Sequence, residues 1–251
     1  MSKTDGEWER FGSTDPYFGV ISHDEFHRSK LTEEAIEEFF RTGYAHMDGV
    51  QAAIRHHIDP HFKPKAALDF GRGVGRIAIP LATIADHVTG VDVSQSMLDE
   101  AKENCRARGI VNVDFMKTDG TTPLWHQRFD FVHSFIVLQH VPAARGVRIF
   151  ANLVSALRNG GICAIHVTYA RDSVLNKTAA MVKRYVPFSG NLLNLVRGVR
   201  WDTPRMEMHR YNLNSLFHVM QKARVQRLYC EYTDHGHELG VFLFFQKPSG
   251  S

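Results

Sequence analysis

Two rhythms of apolar and polar positions run through the middle of this chain. Short apolar runs recur at Ala66–Phe70, His87–Val93, Val111–Met116, Phe129–Leu138 and Ile162–Tyr169, each of a length suited to a β-strand. Between them lie stretches of helical spacing over Arg76–Ala85, Ser96–Arg108 and Pro142 to about Leu157. Pro142 fits the first turn of its helix, and Asn159-Gly160-Gly161 stops it. Phe129–Leu138 is apolar enough to be buried on both faces, as in a parallel sheet covered on both sides. Strands alternating with helices at this spacing predict a parallel sheet wound by right-handed crossovers.

The flanks read differently. Residues 1–30 show weak periodicity and several aromatics (Trp8, Phe11, Tyr17, Phe18, Phe26), which predicts an irregular arm packed on the body. Thr32 before Glu33 and Glu34 reads as a helix cap, with Ala35, Ile36, Phe39 and Phe40 as the apolar stripe. A second helix is expected over Tyr44–Ile58, ending before Pro60. After Tyr169 the alternation gives way to about forty residues of mixed helix and loop, then a helix over Leu213–Lys222. Val225–Tyr232 and Gly240–Gln246 read as strands joined by Thr233–Glu238. That connection is too short for a parallel crossover, so the pair is an antiparallel hairpin. The organisation expected is an arm with cap helices (1–60), an α/β core (61–169), an insert (170–211) and a closing helix and hairpin (212–251).

Composition narrows the class. At 43% hydrophobic and 23% charged, the 251 residues suit a packed globular body. No apolar run reaches the length of a membrane span. The polar opening Met1-Ser2-Lys3-Thr4-Asp5 lacks the apolar core of a secretion signal. Cys105, Cys163 and Cys230 fall in no disulfide or metal-ligand spacing, so reduced thiols, a cytoplasmic setting and no metal are expected. The net charge of +3 is uneven: residues 170–228 hold eleven Lys/Arg against three Asp/Glu, +8, which leaves −5 for the rest. This insert reads either as a solvated basic face or as a surface for an anionic acceptor, an acidic headgroup or RNA.

Leu68-Asp69-Phe70-Gly71-Arg72-Gly73-Val74-Gly75-Arg76 carries the most chemistry. Its glycines let a strand turn sharply into a helix and leave room beside the backbone for a ligand. The spacing is D-x-G-x-G-x-G, with Arg76 where a dinucleotide loop has its last glycine. Asp69 beside the turn repels a pyrophosphate but suits an ammonium group, such as the methionine end of S-adenosylmethionine (SAM). Asp92, with Val93 next to it, stands about twenty residues on at a strand end, where a carboxylate accepts both ribose hydroxyls. Asp119, followed by Gly120, stands where adenine's amino group needs an acceptor, and Met97 where a side chain lies on the adenine face. Ser134, within the fourth strand, completes the expected cofactor set. Alone, each residue reads equally as a turn or core position; together they mark successive strand ends, where parallel sheets bind ligands.

The segments LDFGRGVGR, VTGVDVSQSMLDEA, VDFMKTDG, FDFVHSFIVLQHVP and LRNGG resemble class I SAM-dependent methyltransferases from about Ala66 to Gly161. The resemblance implies a Rossmann-like, seven-stranded, mostly parallel sheet with an antiparallel last strand, helices on both faces and, here, a helical insert after the fifth strand. It implies loop contacts to SAM at Gly71, Gly73 and Gly75, ribose binding at Asp92 and adenine contacts at Asp119. Arg72 departs from the small residue usual at its position, and is expected to point outward from the loop.

Methyl transfer needs alignment of acceptor, methyl and sulfur, and often removal of a proton. His140, just past the fourth strand, is the expected general base; a helix-entrance residue that bonds its loop is the plain alternative. Tyr169, Asp234 and His235 are the expected acceptor contacts, and His166, inside a strand, reads as a core group. The insert, including Met181–Val186 and Leu192–Trp201, reads as a lid over the acceptor, or as a segment lying on a membrane surface. The leading expectation is transfer to a hydroxyl of a small molecule bearing an anionic group. An N-methyltransferase, an RNA or protein methyltransferase, and a non-catalytic SAM-binding interaction subunit stand as alternatives. Nucleic acid is the weaker partner because Ser134-Phe135-Ile136-Val137 replaces the Asn-Pro-Pro-Tyr type of segment that holds base amines.

Overall fold

A computed structural model describes residues 3–119, 121, 125–172 and 206–249. Gly120 and residues 173–205, the body of the basic insert, lie outside the described residues.

Seven strands form one sheet: β1 (Ala66–Phe70), β2 (His87–Asp92), β3 (Val113–Lys117), β4 (Phe129–Ser134), β5 (Leu157–Arg171), β6 (Tyr229–His235) and β7 (Glu238–Gln246). Their order is β3-β2-β1-β4-β5-β7-β6. The pairs from β3 to β5 are parallel, and β7 runs antiparallel to both β5 and β6. The order reverses between β1 and β4, which opens a crevice at their carboxyl ends.

Both faces of the sheet are covered. Among the described residues the α-helices are α1 (Lys3–Thr14), α2 (Pro16–Val20), α3 (Glu33–His57), α4 (Ala78–Ala82), α5 (Gln95–Ala107), α6 (Ala143–Ala156) and α7 (Leu213–Lys222). One apolar cluster joins Leu68, Val132, Cys163 and Leu243 to α6 and α7 through Phe150, Leu153, Leu216 and Met220. The opposite cluster joins Ala67, Phe131, Ala164 and Phe242 to Met47, Val50 and Ile54 of α3. The single sequence pattern of β4 thus feeds two cores, because alternate side chains leave a strand on opposite faces.

Three local expectations are corrected. The arm at residues 3–20 is helical, because α1 docks on α5 closely enough that a Cβ at Gly12 would stand 2.5 Å from Ser94 Oγ. The two helices expected around Phe40 and Tyr44 are one helix of 25 residues, capped by Thr32, whose hydroxyl accepts from the Ala35 N–H. Gly43 does not break it; the glycine lets α3 approach the carbonyl of Arg76, which a Cβ would meet at 2.1 Å. The closing hairpin turns at Gly236-His237 alone, both left-handed (φ 64° and 75°), as a two-residue loop requires. Asp234 and His235 are therefore strand residues opposite Leu239 and Glu238.

Candidate active site

A cavity of about 810 Å³ opens at the carboxyl edge of the sheet, in the crevice between β1 and β4. Gly71, Gly73, Asp92, Val93, Met97, Asp119, His140 and His235 line it, as do Arg76, Phe135, Gln139 and Trp8. Its size is in the upper part of the roughly 300–1,000 Å³ range of small-ligand sites.

The floor is the glycine loop, left-handed at Gly71, Gly73 and Gly75 (φ 75°, 55° and 93°). Asp92 locks it from β2: Oδ2 accepts from the Gly73 N–H at 2.9 Å and Oδ1 from the Ser94 N–H at 2.9 Å. Burial pushes the Asp92 carboxyl up, against the pull of those two N–H groups. Each oxygen keeps a second lone pair for a ligand hydroxyl. Ser94 caps α5 by accepting from the Met97 N–H at 3.1 Å, which fixes Met97 on the wall. Asp119 Oδ1 accepts from both the N–H and the hydroxyl of Thr121, and those bonds hold its carboxyl below the usual range.

Arg72 corrects the expectation of an outward side chain. It is 3% exposed and turns inward beneath β2 and β3, its guanidinium 3.6 Å from the Phe115 ring centroid. Gly90 makes the room, since a Cβ there would stand 2.5 Å from Arg72 Cδ. Burial brings the pKa of Arg72 down to about 10, opposed by Asp69, Cys105 and Asp92. The long cation therefore leaves the cavity clear.

Other expected residues stand behind the wall. Asp69 is buried, with Oδ1 accepting from His133 Nδ1–H at 3.1 Å while His46 and His133 share a 2.9 Å Nε2···Nε2 contact. Ser134 donates its hydroxyl to the Phe70 carbonyl at 3.1 Å, tying β4 to β1. Gly75 packs beside Ala101, Tyr169 faces Tyr232, and Asp234 Oδ1 accepts from the His237 N–H at 2.8 Å in the hairpin.

His140 sits on the wall with both ring nitrogens engaged. Nδ1–H donates to the Glu207 carbonyl at 3.1 Å, and Nε2 accepts from the Gln139 amide at 3.2 Å. Gln139 is oriented in turn by the Thr168 hydroxyl, which donates to its Oε1 at 2.9 Å. Burial lowers the pKa of His140 to about 4. Tyr211 holds this segment, its hydroxyl within 2.8 and 2.9 Å of the Leu138 and Val141 carbonyls. Gly146 of α6 admits that ring, since a Cβ would overlap the Tyr211 hydroxyl at 1.8 Å. His235 stands at the far end, 5.9 Å from the Phe135 ring and 5.3 Å from that of His166. Burial lowers its pKa and Asp234 opposes the shift.

Helix α1 covers the opening. Its Trp8 ring meets the His140 ring edge-on at 5.0 Å, and its Asp5 pairs with Arg145 of α6 at 2.6 Å. Glu9 accepts from the Gln95 and Ser96 N–H groups at the start of α5, 2.7 and 3.2 Å away. Sequence reasoning named Trp8 only as an aromatic of the packed arm, passed over Gln139 and Tyr211 as site residues, and treated Arg76 only as a displaced glycine. Arg76 alone carried a signal, its place directly after the loop.

Comparison with known proteins agrees with this geometry. Residues 67–161 match the family model described as "Methyltransferase domain". A ubiquinone biosynthesis O-methyltransferase of Coxiella burnetii is 33% identical over 100 residues, 39% of this chain and 42% of that protein. A 23S rRNA (uracil(1939)-C(5))-methyltransferase of Marinomonas sp. is 33% identical over 116 residues, 44% of this chain and 26% of that protein. The chain thus spans less than half the length of these curated relatives. Among solved structures, magnesium protoporphyrin IX methyltransferase of Synechocystis PCC 6803, with bound SAH (S-adenosylhomocysteine), superposes with a TM-score of 0.64 at 18% identity, over 96% of this chain and 97% of that one. The N-methyltransferase NodS of Bradyrhizobium japonicum WM9, also with SAH, gives 0.58 at 14% identity, over 99% and 100%. Residues 67–161 of this chain therefore resemble a methyltransferase domain in sequence, and the seven-stranded sheet shares the fold of these two structures.

Proposed function

We propose that the whole chain is a SAM-dependent methyltransferase that alkylates a hydroxyl oxygen of a small acceptor. One observation carries the reading: Asp92, Met97 and Asp119 share a single cavity with Phe135, Gln139, His140 and His235. A nucleoside-type site and a site with proton-accepting groups are thereby joined.

SAM, when bound, supplies a methyl group already activated on a cationic sulfur. The chain's own tasks are to align the acceptor, exclude water and take a proton. Asp92 would offer its remaining lone pairs to ribose hydroxyls, Met97 would pack the adenine and Asp119 would accept from its amino group. Trp8 from α1 and Met206 and Met208 from the segment before α7 close over the cavity and keep bulk water out. His140 is fixed as a neutral imidazole on the wall, its lone pair turned to Gln139. His235 is the better proton acceptor, since its ring lines the cavity and makes no side-chain hydrogen bond among the described residues. The covering helices favour a small molecule over a polymer, and the ubiquinone O-methyltransferase relative supports oxygen as the target.

The test is incubation with tritiated-methyl SAM and pooled metabolite, RNA and protein fractions, beside calorimetry with SAH. Label in small, hydroxyl-bearing compounds is the expected result. Label confined to RNA or protein would reverse the acceptor assignment. Failure to bind SAH would leave only a scaffold.

A further inference from the structure

Arg76 is a buried cation that no carboxylate bonds among the described residues. It stands directly after the glycine loop and lines the cavity, yet it is 9% exposed. Its Nε has no hydrogen-bond partner, and Nη1 reaches only the Thr42 hydroxyl, at 3.4 Å. The Phe135 ring centroid is 5.9 Å from its Cζ. Neither Asp69 nor Glu38, which lines the same cavity, bonds it. Glu38 pairs with Arg41 on the same helix, and Asp69 is held by His133. Asp69 acts on Arg76 only through space, and burial still brings the guanidinium down to about 10. The close approach of Gly43 to the Arg76 carbonyl fixes this backbone against α3. An unpaired, desolvated guanidinium is costly to keep unless a ligand completes it, and its fork matches a carboxylate with two parallel hydrogen bonds.

We infer that Arg76 and Thr42 form a carboxylate-binding subsite at this end of the cavity. The inference rests on the SAM-dependent reading and deepens it. The carboxylate belongs either to the amino-acid end of the cofactor or to the acceptor. If the carboxylate is the acceptor's, the cavity wall itself supplies the cation that the basic insert was expected to provide.

Isothermal titration separates the sources. SAH and 5′-methylthioadenosine share nucleoside and sulfur, but only SAH carries the amino-acid tail. If the subsite holds the cofactor's carboxylate, Arg76→Gln weakens SAH by about tenfold or more and leaves methylthioadenosine within about twofold, with Arg76→Lys between. If it holds the acceptor's, SAH binding is unchanged, while benzoate binds the SAH-loaded protein and loses that binding in Arg76→Gln. Thr42→Val, which removes only the hydroxyl, weakens the same ligand by a smaller factor and serves where Arg76→Gln does not fold. The subsite is overturned if SAH and methylthioadenosine weaken in parallel, or if neither SAH nor benzoate responds. Wild-type protein that binds methylthioadenosine as tightly as SAH, and no benzoate, loses the subsite but keeps the nucleoside site. Wild-type protein that binds neither nucleoside loses the SAM reading itself.

Discussion

At the scale of single residues, the two histidines on the cavity wall differ in what their ring nitrogens are free to do. His140 donates to a backbone carbonyl and accepts from an amide, and its pKa is near 4, so it is neutral at pH 7 but a weak base. His235 has an open ring beside Phe135. His235→Gln should lower kcat by roughly 10²-fold with little change in the KM for SAM, and should flatten the acidic limb of the pH–rate profile. His140→Gln should act mainly through the loop, raising acceptor KM while leaving that limb in place. The reverse pattern would restore His140 as the base. From sequence alone His140 looked apt because its distance along the chain from β4 was right. Its hydrogen bonds come from Glu207 and Gln139, and the partner at Glu207 is invisible to local spacing.

Helix α3 shows how an element is decided from outside itself. Two of its glycines have opposite surroundings: Gly43 meets the Arg76 carbonyl, while a Cβ at Gly49 would have no atom within 4 Å. Gly49→Ala should stabilise the protein by about 0.5–1 kcal/mol, the gain in helix propensity. Gly43→Ala should destabilise it by about 2 kcal/mol or more through overlap with the Arg76 carbonyl. Paired thermal or urea unfolding checks both, and equal shifts in the two variants would disprove the contact. The cap at Thr32 and the stripe through Phe39 and Phe40 were legible in the sequence. The continuity of the helix past Gly43 was not, because a glycine kept for close packing reads locally as a break. The helical arm escaped notice for a related reason. Gly6 and Gly12 weaken its helix propensity, and its order comes from contacts to α5 and α6.

For the whole molecule, burial of three histidines ties stability to pH. His46, His140 and His166 are held neutral, with pKa values lowered to about 2, 4 and 3. Unfolded, each would protonate near pH 6.5, so below that pH the unfolded chain binds more protons than the folded one. Stability is therefore full above pH 6.5 and declines as pH falls towards the folded values. At pH 5 each histidine contributes a loss of roughly 2 kcal/mol, a large share of the roughly 5–15 kcal/mol of a typical domain. A Tm series from pH 7.5 to 5 should fall steeply below pH 6.5; a flat series would show that these rings are not kept neutral.

The sequence by itself determined the winding of the sheet, the positions of Gly71, Gly73, Asp92 and Asp119 at strand ends and of Met97 in the helix after β2, and the antiparallel return of the last strand. Those features follow from local periodicity and from glycine and acid spacing, which act within one strand–turn–helix unit. Tertiary structure alone decided that Arg72 turns inward onto Phe115, that Asp69 lies behind the wall beside His133, that His140 is tied down and that Arg76 lines the cavity bonded only to the Thr42 hydroxyl among the described residues. Where a side chain points, and what remains for it to bond, depends on residues tens of positions away that the fold brings within a few ångströms.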